Sequence, residues 1–355
     1  MSYIDVSNPS IQHTSFQTLK IEEVLHCGFP IAQMRLLCAL DGSYKFLVVS
    51  SGSRLYLHDL LDNRVHSTDL GLNIQPIALR HDSESQRLLV LSRESKRYFL
   101  LTLKYPFEVV DSNCSLRNAF NSSDQSKVLI ADFVGNWPLF LVSTPNGNLQ
   151  ALVYQVRDKE VETIWACDLT TLQKPKLNLN TIVTDQNEVF ILGLEKVVYL
   201  KTTREGFKVG FIDVPPHIRP INHLCRHDDE RLILVSNSQG RSQDNSFTPG
   251  SCRIFVEQSQ SKQEFLQIEL PKIDGLFGVR KIIPWTQEIT LVLFENGHLV
   301  INYGLDRGMV SMHPLILQGL VRHIEYCPFG LEAFVLVDAG TSSSQVHSIS
   351  LHQPS

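Results

Sequence analysis

The sequence predicts an all-β protein, a single seven-bladed β-propeller whose last blade is completed by a strand from the N-terminal region. Two observations carry this prediction. Short apolar runs separated by turn residues recur along the chain, and the first run of each repeat begins near residue 32, 75, 127, 179, 219, 278 or 320. Their average spacing of about 48 residues suits one propeller blade. The last repeat has only three strand-like runs, and a lone run near the N-terminus has no hairpin partner nearby.

The clearest repeat lies between Gly278 and Gly304. Residues 289–294 (ITLVLF) are apolar on both faces, which is typical of a strand buried between two layers. The dipeptide Asn296-Gly297 predicts a type I′ hairpin turn, whose two central residues need a positive φ. Residues 298–303 then return as a second strand rich in β-branched and aromatic residues.

The seven blades are predicted near residues 32–70, 75–111, 127–168, 179–214, 219–270, 278–314 and 320–351. Residues 19–26 (LKIEEVLH) supply the strand missing from blade 7, and this pairing would remove a free sheet edge. The polar residues 1–16 are predicted to form a loose N-terminal segment, so the propeller spans residues 17–355. Two β-sandwiches are the competing architecture, but they do not predict an unpaired strand at residues 19–26.

Composition restricts the class of protein. The 355 residues carry a formal net charge of −5, which argues against a surface dedicated to nucleic acid. The seven cysteines are scattered and form no C-x-x-C pair, as expected in a reducing compartment. We find neither a signal peptide nor an apolar run of about 18 residues. The sequence therefore predicts an intracellular protein, nuclear or cytoplasmic, without membrane insertion.

Two stretches resemble the WD-repeat family of propellers in a degenerate form. Residues 321–337 (VRHIEYCPFGLEAFVLV) look like the first two strands of a family repeat with their Pro-x-Gly turn. Residues 55–60 (LYLHDL) look like the end of its third strand, with His58 in the place of the usual tryptophan. The Gly-His blade starts and the Trp-Asp dipeptide of the family do not occur. The resemblance implies a scaffold or interaction subunit.

On the layout that this resemblance implies, the hairpin turn of blade 2 shares a rim with the connections between blades and with an insertion at residues 238–250 in blade 5. We predict that this rim binds partners through five residues: Arg93, Lys96, Arg97, Arg241 and Phe247. Because Glu94, Glu195 and Glu295 belong to the same rim, a solvated surface of mixed charge is the alternative interpretation. The opposite rim looks more acidic.

The nearest approach to a metal site is His223 with His227 and the acidic residues 228–230. Positions i and i+4 of a strand share a face, but a strand that runs into a charged turn explains the same pattern. No nucleophile elbow, phosphate loop or dinucleotide fingerprint occurs. The sequence therefore predicts no catalytic residue, metal or cofactor.

The predicted function is a non-catalytic scaffold for protein–protein interaction, a subunit of a larger multiprotein complex. Its expected partners are other protein subunits, with nucleic acid as an indirect partner and no small-molecule substrate. Two alternatives remain open. The first is a subunit of a nucleic-acid or chromatin complex that binds through the basic rim, and the second is a propeller enzyme with a channel or metal site.

Overall fold

The computed structural model describes residues 2–4 and 18–352, apart from stretches at 39–42, 72, 83–86, 95–96, 105–107, 116–126, 158–159, 170–181, 186–187, 194, 204–205, 227–230, 238–239, 242–246, 249–251, 260–263, 271–277, 287, 306–307, 309–310, 328–330 and 341. Its residues form seven antiparallel sheets arranged as blades, and one separate two-stranded sheet. The prediction of a seven-bladed propeller is confirmed. In the described part of the chain, no helix has the length and apolar character needed to cross a bilayer.

The strands follow one another through the blades in chain order. Two strands precede blade 1: β1 (Ser2–Ile4) and β2 (Thr18–Cys27). Blade 1 contains β3 (Gln33–Cys38), β4 (Lys45–Ser51), β5 (Arg54–Asp59) and β6 (Arg64–Asp69). Blade 2 contains β7 (Gln75–Asp82), β8 (Arg87–Glu94), β9 (Arg97–Lys104) and β10 (Glu108–Ser115). Blade 3 contains β11 (Lys127–Val134), β12 (Trp137–Ser143), β13 (Leu149–Arg157) and β14 (Glu160–Asp168).

The remaining blades repeat this order, with one addition in blade 5. Blade 4 contains β15 (Ile182–Asp185), β16 (Glu188–Leu192), β17 (Lys196–Thr203) and β18 (Gly206–Asp213). Blade 5 contains β19 (His223–Arg226), β20 (Leu232–Asn237), the short β21 (Gly240–Arg241) and β22 (Phe247–Thr248), β23 (Cys252–Ser259) and β24 (Glu264–Glu269). Blade 6 contains β25 (Val279–Pro284), β26 (Ile289–Phe294), β27 (Leu299–Tyr303) and β28 (Ser311–Pro314). Blade 7 contains β29 (Leu320–Tyr326), β30 (Glu332–Asp338) and β31 (Ser344–His352).

The N-terminal strand β2 closes the ring, as the sequence predicts. It pairs antiparallel with β31, from Thr18 opposite His352 to Cys27 opposite Ser344. Leu19 is fully buried in the core between blades 6 and 7. Beyond β2, strand β1 adds a fifth strand to blade 7. The rest of the predicted loose segment, residues 5–16, lies outside the described residues.

The apolar core is divided into seven clusters, one at each junction between neighbouring blades. The second strand of each blade supplies much of it, and β20 and β26 are buried along their whole length. Alternate residues of such a strand face the two neighbouring blades, so each strand contributes to two clusters. This arrangement explains why the strands read as continuous apolar runs.

The seam between blades 7 and 1 also has polar links. The amide of Ile31 donates to Oγ of Ser344 at 3.1 Å, and Nη1 of Arg322 donates to the carbonyl of Ile31 at 3.3 Å. The Sγ atoms of Cys38 and Cys327 lie 3.3 Å apart as free thiols. Burial, followed by the neighbouring Cys327 thiol, raises the pKa of Cys38 to about 12. The ring is therefore joined at its seam by side chains as well as by strand pairing.

The turn after β26 differs from the prediction. Of the two predicted turn residues, Gly297 alone has a positive φ, of 80°. The amide of Gly297 donates to the carbonyl of Phe294 at 3.0 Å, and Phe294 donates to His298 at 2.9 Å. The loop thus has three residues, the pattern of a type I turn followed by a left-handed glycine. The predicted type I′ turn was wrong because Leu293 pairs with Leu299, which leaves too many residues for a two-residue loop.

Candidate functional site

The propeller presents two rims. We define the upper rim as the turns between the second and third strands of each blade, together with the connections from one blade to the next. The lower rim carries the turns between the first and second strands and between the third and fourth strands. Of the five residues predicted to bind partners, four are described by the structure, and their strands place them at the upper rim: Arg93, Arg97, Arg241 and Phe247.

Blade 2 holds the first group of these residues at the turn between β8 and β9. Arg93 lies opposite Tyr98, and Glu94 lies opposite Arg97, in the last pairs before the turn. Both arginines are exposed. Lys96 lies outside the described residues. The two arginines therefore lie in the last strand pairs before the turn, on a blade that packs against a buried apolar cluster.

The arginines of blade 2 differ from three other arginines of the same rim in their ion pairing. Arg54 pairs with Asp69 at 3.5 Å, Arg219 with Glu195 at 3.3 Å, and Arg322 with Asp338 at 3.4 Å. Among the residues that the structure describes, no carboxylate forms an ion pair with Arg93 or Arg97. Their guanidinium groups can therefore bind a carboxylate of a partner, because within the described residues they are not already paired with one.

Blade 5 holds the second group. The insertion at residues 238–250 contains a small hairpin, in which Arg241 of β21 lies directly opposite Phe247 of β22. Residues 242–246 between them lie outside the described residues. Blades 3 and 4 separate this hairpin from blade 2 on one side of the ring. The predicted residues therefore form two groups on one rim rather than a single patch.

Sequence reasoning missed an apolar feature of the upper rim. In the connection from blade 6 to blade 7, Ile316 is 81% exposed and Leu320 is 55% exposed. Leu320 lies against the β26–β27 turn, because a Cβ on Gly297 would come within 2.9 Å of its Cβ. The apolar run Leu315-Ile-Leu317 in a connection between blades was the available signal. Exposed large apolar side chains of this kind often mark contact surfaces.

A second polar site lies on the first strands of blades 6, 7, 1, 2 and 3, which are β25, β29, β3, β7 and β11. Glu325 is its centre. Its Oε1 atom accepts from Nη1 of Arg35 at 3.2 Å and from Nε2 of His323 at 2.8 Å. Burial alone would raise the pKa of Glu325, but Arg35, His323 and Lys281 together lower it to about 2. The carboxylate is therefore ionised at neutral pH.

Arg80 of blade 2 adds a further cation to this group. Burial and the positive charge of Arg35 lower its pKa to about 10, while Asp132 and Glu325 act in the opposite direction. Arg80 nevertheless remains charged at neutral pH. From blade 6 through blades 7, 1, 2 and 3, the first strands carry in this order Lys281, Glu325, Arg35, Arg80 and Asp132. The two carboxylates offset most of the positive charge of the three cations, so the group links these first strands and offers little net charge to a ligand.

The first histidine of the candidate metal cluster lies at a contact between two blades. His223 is buried, and its Nε2 donates to the carbonyl of Ile282 in blade 6 at 3.5 Å. His227 and residues 228–230 lie outside the described residues. Within the described ranges, no group of three or more His, Cys, Asp or Glu side chains could hold a metal ion. His223 therefore joins blade 5 to blade 6.

Acid should destabilise the protein through His223. Burial, followed by the charge of Lys281, lowers its pKa to about 4. The unfolded chain has a pKa near 6.5, so the stabilisation by neutral His223 is present above that pH and is lost as the pH falls toward 4. From pH 7 to pH 5 this should cost about 2 kcal/mol. Urea unfolding at pH 7 and pH 5 measures this loss. Between these pH values the free energy of unfolding should fall by about 2 kcal/mol less in His223→Leu than in the parent protein. An equal drop in the two proteins would contradict this assignment.

Comparison with known proteins supports the fold. Neither a protein-family model nor a curated protein sequence matches the chain. Three similar solved structures are described as RRP9 WD40 repeats, U3-55K and the WD40 β-propeller domain of Doa1. Their TM-scores are 0.55, 0.52 and 0.52, at 12%, 12% and 13% identity. The alignments cover 94%, 92% and 93% of this chain, and 97%, 98% and 97% of those chains.

The chain thus has the fold of WD40 β-propellers, as its resemblance to degenerate repeats of that family predicts. At identities this low, the likeness concerns the fold alone.

Proposed function

We propose that the protein is a non-catalytic scaffold, a subunit of a larger nuclear or cytoplasmic assembly that docks protein partners on its upper rim. The observation that carries the proposal is the pair of exposed arginines on blade 2, which have no ion-pair partner among the described residues. The blade 5 hairpin provides a second contact point. The docking residues are Arg93, Lys96, Arg97, Arg241 and Phe247.

The chemistry of this rim favours an acidic partner surface. A guanidinium group binds a carboxylate through two parallel hydrogen bonds, and it does so with a defined orientation. The exposed Ile316 and Leu320 add an apolar contact on the same rim. A partner that spans blades 7 to 2 would therefore meet apolar and basic groups together, which is the usual composition of a protein interface.

Reversing the charge of the two arginines should remove the partners. The test is affinity purification of the tagged protein from its own cells, with mass spectrometry of the proteins that co-elute. Arg93→Glu/Arg97→Glu should lower the recovery of at least one partner by about tenfold, since truncating or reversing such contacts costs more than 1 kcal/mol. Its melting temperature should stay nearly unchanged, because both sites are at the surface.

The matched control makes the same change in net charge elsewhere. Arg64→Glu/Lys208→Glu alters two exposed cations, one on the lower rim and one on the outer strand of blade 4. It should retain all partners. A third variant, Arg241→Glu/Phe247→Ala, tests the blade 5 hairpin separately. Retention of every partner by both upper-rim variants would refute docking on this rim.

The same arginines favour one second candidate, a nucleic-acid-associated subunit, because guanidinium groups also bind phosphates. This function predicts that capture falls steeply with salt concentration and is lost after nuclease treatment. Protein partners that persist after nuclease digestion would support the scaffold instead. Purified protein that fails to retard RNA or DNA at low salt would remove the second candidate.

A further inference from the structure

A cavity of about 330 Å³ opens on the lower rim between blades 1 and 2. This volume lies at the small end of the range for ligand sites, and it suits one long side chain rather than a whole peptide. The floor is apolar and the mouth carries charges. Its lining includes Tyr44, Phe46, Leu88, Asp59, Asp62 and Arg87.

One wall of the cavity is aromatic and held in place. The rings of Tyr44 and Phe46 are stacked, with centroids 5.3 Å apart. The hydroxyl of Tyr44 forms a hydrogen bond of 3.1 Å with Nε2 of His81, which belongs to the next blade. The ring of Tyr44 is thereby fixed from two sides before any ligand arrives. A preorganised aromatic face attracts cations through the ring quadrupole.

Two carboxylates stand beside this wall. Asp59 is buried, and its Oδ1 accepts hydrogen bonds from the amides of Leu61 at 2.9 Å and Asp62 at 3.2 Å. These bonds fix the carboxylate within the turn. Asp62 is exposed, and among the described residues its side chain has no hydrogen bond or ion pair. Its negative charge is thus available at the cavity mouth.

The other titratable groups of the cavity leave a negative balance. Burial, opposed by Asp82 and assisted by Arg80 and Arg35, lowers the pKa of His81 below its usual value. His81 is therefore neutral at pH 7. Arg87 is exposed and contributes one positive charge against two carboxylates.

We propose that this cavity binds the arginine side chain of an extended segment from a partner protein. The guanidinium would stack on Tyr44 and pair with Asp62, while its aliphatic stem would lie on Phe46 and Leu88. Arginine suits the site because its planar group can stack and can bind a carboxylate at the same time. The site is on the rim opposite the proposed docking residues and does not depend on them.

The probe is a dye-labelled peptide, acetyl-Gly-Ser-Gly-Arg-Gly-Ser-Gly-amide, titrated against the full chain by fluorescence anisotropy. A peptide with citrulline in place of arginine keeps the shape and removes the charge. It should bind at least about tenfold more weakly, since both the cation–π and the charge-assisted contacts are lost. A peptide with glutamate at that position should not bind.

Variants of the protein locate the site and its charge preference. Asp62→Asn should weaken binding of the arginine peptide by about threefold to fivefold. Arg87→Ala should strengthen it by about threefold, because a like charge is removed. Tyr44→Ala should weaken it by about tenfold, and Tyr44→Phe much less. The comparison separates the contribution of the aromatic ring from that of the hydroxyl group. Arg93→Ala, on the other rim, should leave binding unchanged.

Several results would overturn the proposal. These are equal binding of the citrulline peptide, preferential binding of the glutamate peptide, weaker binding by Arg87→Ala, or no saturation by the arginine peptide at millimolar concentration. Asp62 and Arg87 are surface residues, so their variants should fold and remain informative even if Tyr44→Ala does not.

Discussion

Replacing Glu325 with glutamine should lower the free energy of unfolding by about 3–5 kcal/mol, the usual cost of breaking a buried ion pair. The neutral side chain would leave Arg35 partly buried beside Lys281 and Arg80 without its main counter-charge. Urea unfolding at pH 7 measures this loss. The double variant Arg35→Met/Glu325→Gln should recover much of the stability, because removing both partners restores the net charge that this group of side chains has in the parent protein. A double variant less stable than Glu325→Gln would contradict the assignment.

The carboxylate of Glu325 also makes the free energy of unfolding depend on pH, in addition to the effect of His223. The pKa of Glu325 is about 2 in the folded protein and about 4.5 in the unfolded chain. Its contribution is therefore present above pH 4.5 and is lost as the pH falls toward 2, by about 3 kcal/mol in total. This range lies below the one for His223. Glu325→Gln should flatten the profile between pH 4.5 and 2 while leaving the fall between pH 6.5 and 4 intact.

Replacing Leu19 with alanine should cost about 3 kcal/mol, within the range of 2–5 kcal/mol for fully buried leucines. Leu19 is 0% exposed although it belongs to an N-terminal strand. The matched control is Leu141→Ala, a leucine of the same burial in the core between blades 3 and 4. Similar losses in urea unfolding would show that the closing strand is integral to the fold. A loss below 1 kcal/mol for Leu19→Ala, with the usual loss for Leu141→Ala, would show that strand β2 contributes little to stability.

Deleting residues 1–27 tests the closing strand more severely. The deletion removes Leu19, Ile21 and Cys27 from two of the seven core clusters and leaves an edge of β31 unpaired. We expect a lower melting temperature and self-association through the exposed strand edge. A truncated protein that melts at the same temperature and stays monomeric would refute this role.

The number of blades and the closing strand could be predicted because they rest on local information. Each strand is marked by its own apolar run and its flanking turn residues, and β2 is marked by lacking a neighbour. The type of the turn at Asn296-Gly297 could not be predicted from the dipeptide, since the register of the flanking strands determines the loop length.

The candidate sites depend on contacts between residues that are far apart in sequence, which no local sequence pattern predicts. Glu325 and Arg35 are 290 residues apart in sequence, and they meet only because the ring closes. Tyr44 and His81 belong to different blades, so the cavity between them is a product of blade packing. The repeat pattern assigned the five residues predicted to bind partners to one rim, and whether that rim binds a partner stays a prediction. The division of these residues into two groups follows from the positions of blades 2 and 5 around the ring.

The pairing of β2 with β31 has a consequence for synthesis. Cys27 and Ser344 are opposite one another in the sheet, but 317 residues separate them in the chain. A ribosome that adds about 5–20 residues per second needs roughly 15–65 s to cover that distance. During this time β2 has left the ribosome without the strand that will pair with it. The nascent chain therefore exposes Leu19, Ile21 and an unpaired strand edge for most of its translation, and we expect chaperones that shield such edges to bind it during that time.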